Sequence, residues 1–191
     1  FIDPDNPVAK IAINDQELIL KEGEWSPWVS ADFDLVPYVM SISGSVRFYL
    51  KSVRPDFGLY ITPIQIDPLN PGSAISHPDS FATELANATG RYYTQEMPQD
   101  TKALQWGVFD LDEYLTQVTL TRAETTAQYK YLLENWNGGF LFSYFGSADQ
   151  ISHVMWGLTR DPEHPAYVAE SHDRYRDVIP SLYEEFDALL G

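Results

Sequence analysis

Two prolines and a glycine fall within residues 67–72 (DPLNPG), and this segment divides the chain into two differently patterned parts. Proline fixes φ and removes a backbone donor, so neither a strand ladder nor a helix interior continues through such a segment. We therefore predict a β-rich insertion subdomain over residues 1–68 and a helical α/β segment over residues 69–191. The chain has 191 residues, enough for one large domain or two small ones. The predicted fold class is α+β.

The part before the boundary carries the pattern of short strands. Residues 10–13 and 17–20 are rich in apolar side chains and flank an Asn-Asp turn pair at positions 14–15. Residues 46–53 alternate apolar and polar side chains, which is the period of a strand with one buried face. Residues 59–66 form another apolar run, interrupted by a proline. The pattern favours a small sheet, a sandwich or a partial barrel.

The part after the boundary carries the pattern of helices. One is predicted over residues 78–90, between a proline start and a glycine stop. A long helix is predicted over residues 110–136, and its first residues have the spacing of a capping box. Another is predicted over residues 168–189, where apolar positions recur at steps of four and three. Pro180 lies inside that last helix and should kink or break it.

Between the last two helices, residues 140–145 (FLFSYF) form an almost continuous apolar and aromatic run. This run favours a strand buried on both faces, as in a parallel sheet, and a helix-strand-helix order makes an α/β layer. Asp149 and His153 follow the run directly. Ligands of α/β proteins collect beyond the carboxyl ends of the strands, so this is where a site is expected.

Asp149 and His153 are the candidate metal ligands. Residues four apart share one face of a helix, which would present a carboxylate oxygen and an imidazole nitrogen to one divalent ion such as Zn, Mn or Fe. The alternative is an ordinary aspartate that stabilises the helix macrodipole, beside a histidine without a ligand role. The spacing alone does not decide between the metal-ligand interpretation and the ordinary helix interpretation.

Composition excludes several classes of function. The 28 acidic and 12 basic residues give a net charge of −16, which repels nucleic acid and anionic membranes. We see no apolar run long enough for a membrane span. The chain has no cysteine, which excludes disulfides, thiolate metal sites and a thiol nucleophile but leaves the cellular compartment open. Acidic side chains keep a protein soluble, and they can also hold divalent cations.

Residues 139–156 (GFLFSYFGSADQISHVMW) resemble the metal motif of the alkaline phosphatase superfamily. The branch that they resemble contains the type I phosphodiesterase and nucleotide pyrophosphatase-like proteins, in particular the phosphohydrolase/phosphomutase group. The resemblance extends from about residue 59 to the end, over stretches 59–68, 92–104, 161–165 and 183–187. It implies an α/β segment that belongs to an alkaline-phosphatase-like sheet. Residues 1–58 resemble a variable, β-rich insertion.

The resemblance implies a metal-dependent phosphohydrolase that cleaves or transfers phosphate mono- or diesters of a small-molecule substrate. In that family a Ser or Thr nucleophile and two metal ions, usually zinc, cleave the phosphate ester through a covalent phospho-enzyme. By resemblance, Asp149 and His153 bind one of two Zn (or Mn) ions. The nucleophile, with its neighbouring aspartate, and the remaining ligands are not recognised in this sequence, so no catalytic residue is assigned. We expect the chain to be a middle segment of a larger enzyme that does not catalyse by itself.

The competing hypothesis is a non-catalytic binding or interaction module, with a partner- or glycan-binding face on the β-rich part. Its candidate residues are Trp25, Trp28, Phe33 and Tyr38, although aromatic residues more often fill cores. A degenerate family member used as a scaffold is a third option. For His164 the alternatives are a substrate or metal contact near the site and a loop histidine between two prolines, and the loop histidine is favoured. His172 is expected to be a packed, hydrogen-bonded histidine. The substrate, the oligomeric state and the choice between hydrolase and mutase stay open.

Overall fold

The computed structural model describes residues 3, 5–36, 40–95 and 98–191, and for residues 33–36 and 40–42 it describes the backbone alone. The chain is a mixture of strands and helices, which confirms the α+β class. In chain order the strands are β1 (Val8–Ile13), β2 (Gln16–Lys21), β3 (Glu24–Trp25), β4 (Val29–Val36), β5 (Met40–Val46), β6 (Phe48–Ser52), β7 (Gly58–Ile61) and β8 (Gln65–Ile66). The helices are α1 (Phe81–Thr89), α2 (Thr101–Gln105), α3 (Leu111–Glu134), α4 (Ser147–Thr159), α5 (Ala169–Tyr175) and α6 (Val178–Leu190).

The strands form small antiparallel sheets, with β1 paired to β2, β6 between β3 and β7, and β5 between β4 and β8. The predicted Asn-Asp turn joins β1 to β2, and Ile13 pairs with Gln16 across it. Asn14 has a φ of 49°, a left-handed conformation that asparagine tolerates better than most residues. The alkaline-phosphatase-like sheet stays a prediction.

The chain divides into two compact units. One contains Phe1–Pro98 and Thr126–Asn135, and the other contains Gln99–Thr125 and Trp136–Gly191. The change from strands to helices falls between Ile66 and Phe81, whereas the units divide elsewhere along the chain. A domain boundary at residues 68–69 therefore stays a prediction.

The first unit packs its strands around a cluster of small and branched apolar side chains. Its buried members are Ala9, Leu20, Val29, Ala31, Val46, Phe48, Leu50 and Val53. Beside the strands, the Arg91 guanidinium donates two hydrogen bonds of 3.0 Å to the carboxylate of Asp67. It donates a third hydrogen bond, of 2.9 Å, to Ser30 Oγ. Asp67 is 2% exposed and also accepts the backbone N–H of Leu69. This carboxylate is therefore buried with its hydrogen bonds made.

The second unit is helical. The predicted capping box at the start of α3 is present, since Asp110 Oδ1 accepts from Glu113 N at 2.8 Å and Glu113 Oε2 accepts from Asp110 N at 2.9 Å. Helix α4 packs against α5 and α6. The buried apolar side chains of this unit include Phe109, Tyr114, Val118, Ile151, Met155, Ile179 and Leu182.

The helix predicted over residues 168–189 is two helices, α5 and α6, separated at Arg176 and Asp177. Pro180 is the third residue of α6. The first N–H groups of a helix have no partner within it, so a proline is tolerated at this position and not further along. The predicted break is present, and it lies just before the proline.

The predicted buried strand over residues 140–145 is wrong for this chain. The structure assigns no strand there, and Phe140, Phe142 and Tyr144 are 90%, 73% and 67% exposed. A strand needs a neighbour with which to form a ladder, and after Ile66 no strand is assigned within the described ranges. An apolar run indicates what a segment would bury but cannot supply the partner that buries it.

Candidate metal centre

Helix α4 carries both candidate ligands, and its buried face fixes their orientation. Ser147, Ile151, Met155 and Thr159 recur every four residues and are all buried. Asp149 and His153 lie on a different face of the helix, and both are exposed. Asp149 is in the first turn, where a carboxylate interacts favourably with the helix macrodipole.

The two candidate ligands lie next to each other. His153 Nε2 is 3.2 Å from Asp149 Oδ1, and the side chains are 77% and 54% exposed. Two ligand atoms in a tetrahedral zinc site, at bond lengths of about 2.0–2.1 Å, stand about 3.3 Å apart. The separation therefore suits a shared cation, and carboxylate oxygen with imidazole nitrogen is a donor set that zinc accepts. A hydrogen-bonded helix pair of i,i+4 spacing explains the same distance.

A cavity of about 390 Å³ opens beside this pair. It is lined by Asp149, Ser152, His153, Trp156, Gly157 and His164. The cavity thus combines one carboxylate, two imidazoles, a hydroxyl and an indole ring. Its volume is within the range typical of small-molecule sites.

The sequence favours a loop histidine at position 164, and the structure places His164 in the loop after α4 and also in the lining of this cavity. A Cβ built at Gly157 would lie 2.6 Å from two atoms of the His164 ring. The absence of a side chain at Gly157 is therefore what lets the imidazole approach α4. Gly157 follows His153 by four residues, a spacing that places the glycine on the ligand face.

The other two histidines lie apart from this cavity. His172 is half-buried, and its Nδ1 donates to Thr159 O at 2.5 Å, so it is the packed, hydrogen-bonded histidine that was expected. His77 is exposed, precedes α1 and belongs to the first unit. Across the described part of the chain, no group of three or more His, Asp or Glu side chains stands close enough to hold a metal ion. Asp149 and His153 therefore stand as two candidate ligands without a third in the described residues.

A second cavity, of about 340 Å³, lies between α3, α4 and α6 and is lined in part by Arg122, Arg174 and Glu185. Arg122 is hydrogen-bonded to Glu185, and Arg174 to Asp112. Burial, together with the hydrogen bond that Tyr175 Oη donates to Asp112, raises the pKa of Tyr175. Because both arginines have carboxylate partners, this cavity carries no functional assignment.

Two of the four aromatic residues suggested for a binding face pack within the first unit. The Trp25 ring lies 4.9 Å from that of Tyr49, and the Trp28 ring lies 4.7 Å from that of Tyr93. Arg47 stacks over Trp28 at 4.8 Å. These contacts are those of packed aromatic residues. Tyr38 and the side chain of Phe33 lie outside the described residues.

No family model, curated protein or solved structure matches the chain. None of the helices in the described part of the chain has the length and apolarity needed to cross a membrane.

Proposed function

We propose that this chain supplies one of the two cation sites of a metal-dependent phosphohydrolase, with Asp149 and His153 as protein ligands. We also propose that the phosphohydrolase belongs to the alkaline phosphatase superfamily, which the sequence resembles, and that a Zn or Mn ion is its cofactor. The observation that carries it is the 3.2 Å separation between Asp149 Oδ1 and His153 Nε2 beside a cavity. A phosphate ester is the proposed substrate class.

Each residue has a distinct role in this proposal. Asp149 offers an anionic oxygen, which offsets the charge of the cation, and His153 offers a neutral ring nitrogen. A bound cation supplies positive charge where a phosphoryl group develops negative charge during transfer. The chain itself carries a net charge of −16, so an anionic ester needs such a local positive charge to approach.

Calorimetric titration with zinc tests the ligand pair. We expect weak binding to the wild-type chain, since catalytic zinc normally has three protein ligands, and loss of that binding in the Asp149→Ala/His153→Ala double variant. The matched control is Asp173→Ala/His77→Ala, which removes an exposed carboxylate and an exposed imidazole elsewhere. Equal zinc binding by the Asp149/His153 double variant would contradict the proposal.

A further inference from the structure

Four hydrogen bonds order the loop around His164 after α4, and one of them involves its ring. His164 N donates to Asp161 O at 3.0 Å, Tyr167 N donates to His164 O at 2.9 Å, and Glu163 N donates to Asp161 Oδ1 at 3.0 Å. The fourth contact involves the ring, because Ala166 N donates to His164 Nδ1 at 3.1 Å. The ring nitrogen Nδ1 is therefore a hydrogen-bond acceptor.

The hydrogen bond from Ala166 N to Nδ1 determines whether Nε2 of His164 carries a proton. A neutral imidazole carries one N–H, so a ring that accepts at Nδ1 carries its proton on Nε2. A metal ligand must present a lone pair, which Nε2 lacks in this tautomer. In this tautomer His164, which lines the cavity, carries an N–H donor at Nε2.

We infer that His164 is a positioning residue that donates from Nε2–H to an oxyanion of the ligand, specifically a phosphoryl or phosphonyl oxygen. The inference rests on the proposed function, because the anion needs the cation held by Asp149 and His153. Among the described residues that line the cavity, Asp149 is the only acidic one and none is a lysine or an arginine. An anion enters such a cavity when a cation is bound there.

Gly157 provides a way to move the ring without removing it. A Cβ at this position would lie 2.6 Å from ring atoms Cε1 and Nδ1 and 3.1 Å from Nε2, so Gly157→Ala displaces the imidazole. Alanine is a better helix former than glycine, so α4 should not be weakened. His164→Ala and Gly157→Ala should therefore have the same effect on the ligand, for different chemical reasons.

The first experiment is long-range ¹H–¹⁵N NMR of the histidine rings, without and with zinc. We expect His164 to carry its proton on Nε2, whereas His172, which donates from Nδ1 to Thr159 O, should show the opposite tautomer and serve as the internal reference. Zinc should change the ring nitrogen signals of His153 and leave the tautomer of His164 unchanged. Protonation of His164 at Nδ1, or coordination of zinc by His164, would overturn the inference.

The second experiment is a titration of the zinc-loaded protein with phenylphosphonate, followed by calorimetry. We expect the Kd to rise about tenfold in His164→Ala and in Gly157→Ala, as for loss of one hydrogen bond to a charged oxygen. His164→Gln, which keeps an N–H donor, should recover part of the affinity, and His77→Ala should match the wild type. Unchanged affinity in both His164→Ala and Gly157→Ala would overturn the inference.

Zinc affinity separates the two proposals. It should stay within about twofold of wild type in His164→Ala, since one hydrogen bond to the anion contributes nothing to the metal-ligand bonds. Loss of zinc binding in this variant would overturn the role of His164 as a donor and make it a ligand. Zinc binding that does not depend on Asp149 and His153 would instead overturn the proposed function.

Discussion

Two buried polar sites, one in each compact unit, differ in how far their hydrogen bonds are satisfied. In the first unit, the carboxylate of Asp67 meets the guanidinium of Arg91, the hydroxyl of Ser30 and a backbone N–H. In the second unit, Tyr114 Oη and Gln117 Nε2 are buried with no hydrogen-bond partner among the described residues. Removing a partner from the first cluster leaves a buried charge unpaired, which destabilises the folded state. Removing an atom from the second removes a buried group that has no hydrogen bond to lose. Substitutions of similar size at these two sites should therefore have opposite effects on the free energy of unfolding.

The largest effect is expected for Arg91→Ala. It leaves the carboxylate of Asp67, whose side chain is 3% exposed, without its cationic partner. We expect the free energy of unfolding to fall by about 3–5 kcal/mol, measured by urea denaturation at pH 7.

The matched control for Arg91→Ala is Arg174→Ala. Arg174 pairs with Asp112, and these side chains are 65% and 48% exposed. Loss of an exposed pair should cost less than about 1 kcal/mol. Similar losses in the two variants would contradict the contrast between the buried and the exposed pair.

Tyr114→Phe should act in the opposite direction. It removes a buried hydroxyl that lacks a partner in the described part of the chain and keeps the ring, which is 0% exposed. We expect the free energy of unfolding at pH 7 to stay unchanged or to rise by up to about 1 kcal/mol. Tyr183→Phe, at a position that is 60% exposed, is the control and should leave it unchanged. A clear loss of stability in Tyr114→Phe would show that the hydroxyl has a partner.

The same variant should change the alkaline limb of the stability curve. Burial raises the pKa of Tyr114 from 10.0 to about 12. Above pH 10 the unfolded chain releases this proton first, so the stabilising contribution is complete below pH 10 and is lost as the pH rises through 12. Tyr114→Phe should therefore lose less stability than the wild type between pH 10 and pH 12, measured by denaturant unfolding. Parallel curves for the two proteins would argue against this burial effect.

Asp110→Ala is expected to have a moderate effect. It removes the side-chain acceptor for Glu113 N at the start of α3, and loss of an N-cap costs about 1 kcal/mol. Asp110→Asn keeps an acceptor and should recover most of the loss. Thermal unfolding should rank the Tm values as wild type, then Asn, then Ala. Equal Tm values for the Ala and Asn variants would mean that the cap is not the cause.

The smallest effect on stability is expected for Asp149→Ala. Its side chain is 54% exposed, and an exposed i,i+4 pair with a favourable helix-dipole position contributes less than about 1 kcal/mol. Urea unfolding should therefore give nearly the wild-type midpoint, although zinc binding should be lost. A large destabilisation would make the pair a structural element and weaken its interpretation as a ligand pair.

The parts of the fold that the sequence predicted are those that depend on nearby residues. The Asn-Asp turn, the capping box of Asp110 and Glu113 and the end of α1 at Gly90 each follow from the chemistry of a few adjacent residues. Residues 140–145 were different, because whether an apolar run forms a strand depends on a distant partner. The apolar pattern was correctly identified there, but the state of the segment was not.

The candidate site shows the same division. The proximity of Asp149 and His153 follows from helical spacing, which needs four residues of sequence and no tertiary information. The position of His164 depends on the turn over residues 161–167 and on the missing side chain at Gly157, two features that act together only in the folded chain. The sequence therefore predicts the proximity of Asp149 and His153, but it does not predict that His164 lies beside them and favours a loop residue there.

The outward rings of Phe140, Phe142 and Tyr144 have a consequence for the behaviour of the protein in solution. The seven residues from Gly139 to Phe145 contain no charge and no proline and are rich in aromatic side chains, a composition typical of self-associating β segments. Mutual repulsion between copies that each carry a charge of −16 opposes this association. Added salt shortens the range of that repulsion to about 10 Å at 0.1 M and about 3 Å at 1 M. High ionic strength should therefore promote aggregation of this protein, and low ionic strength should suppress it.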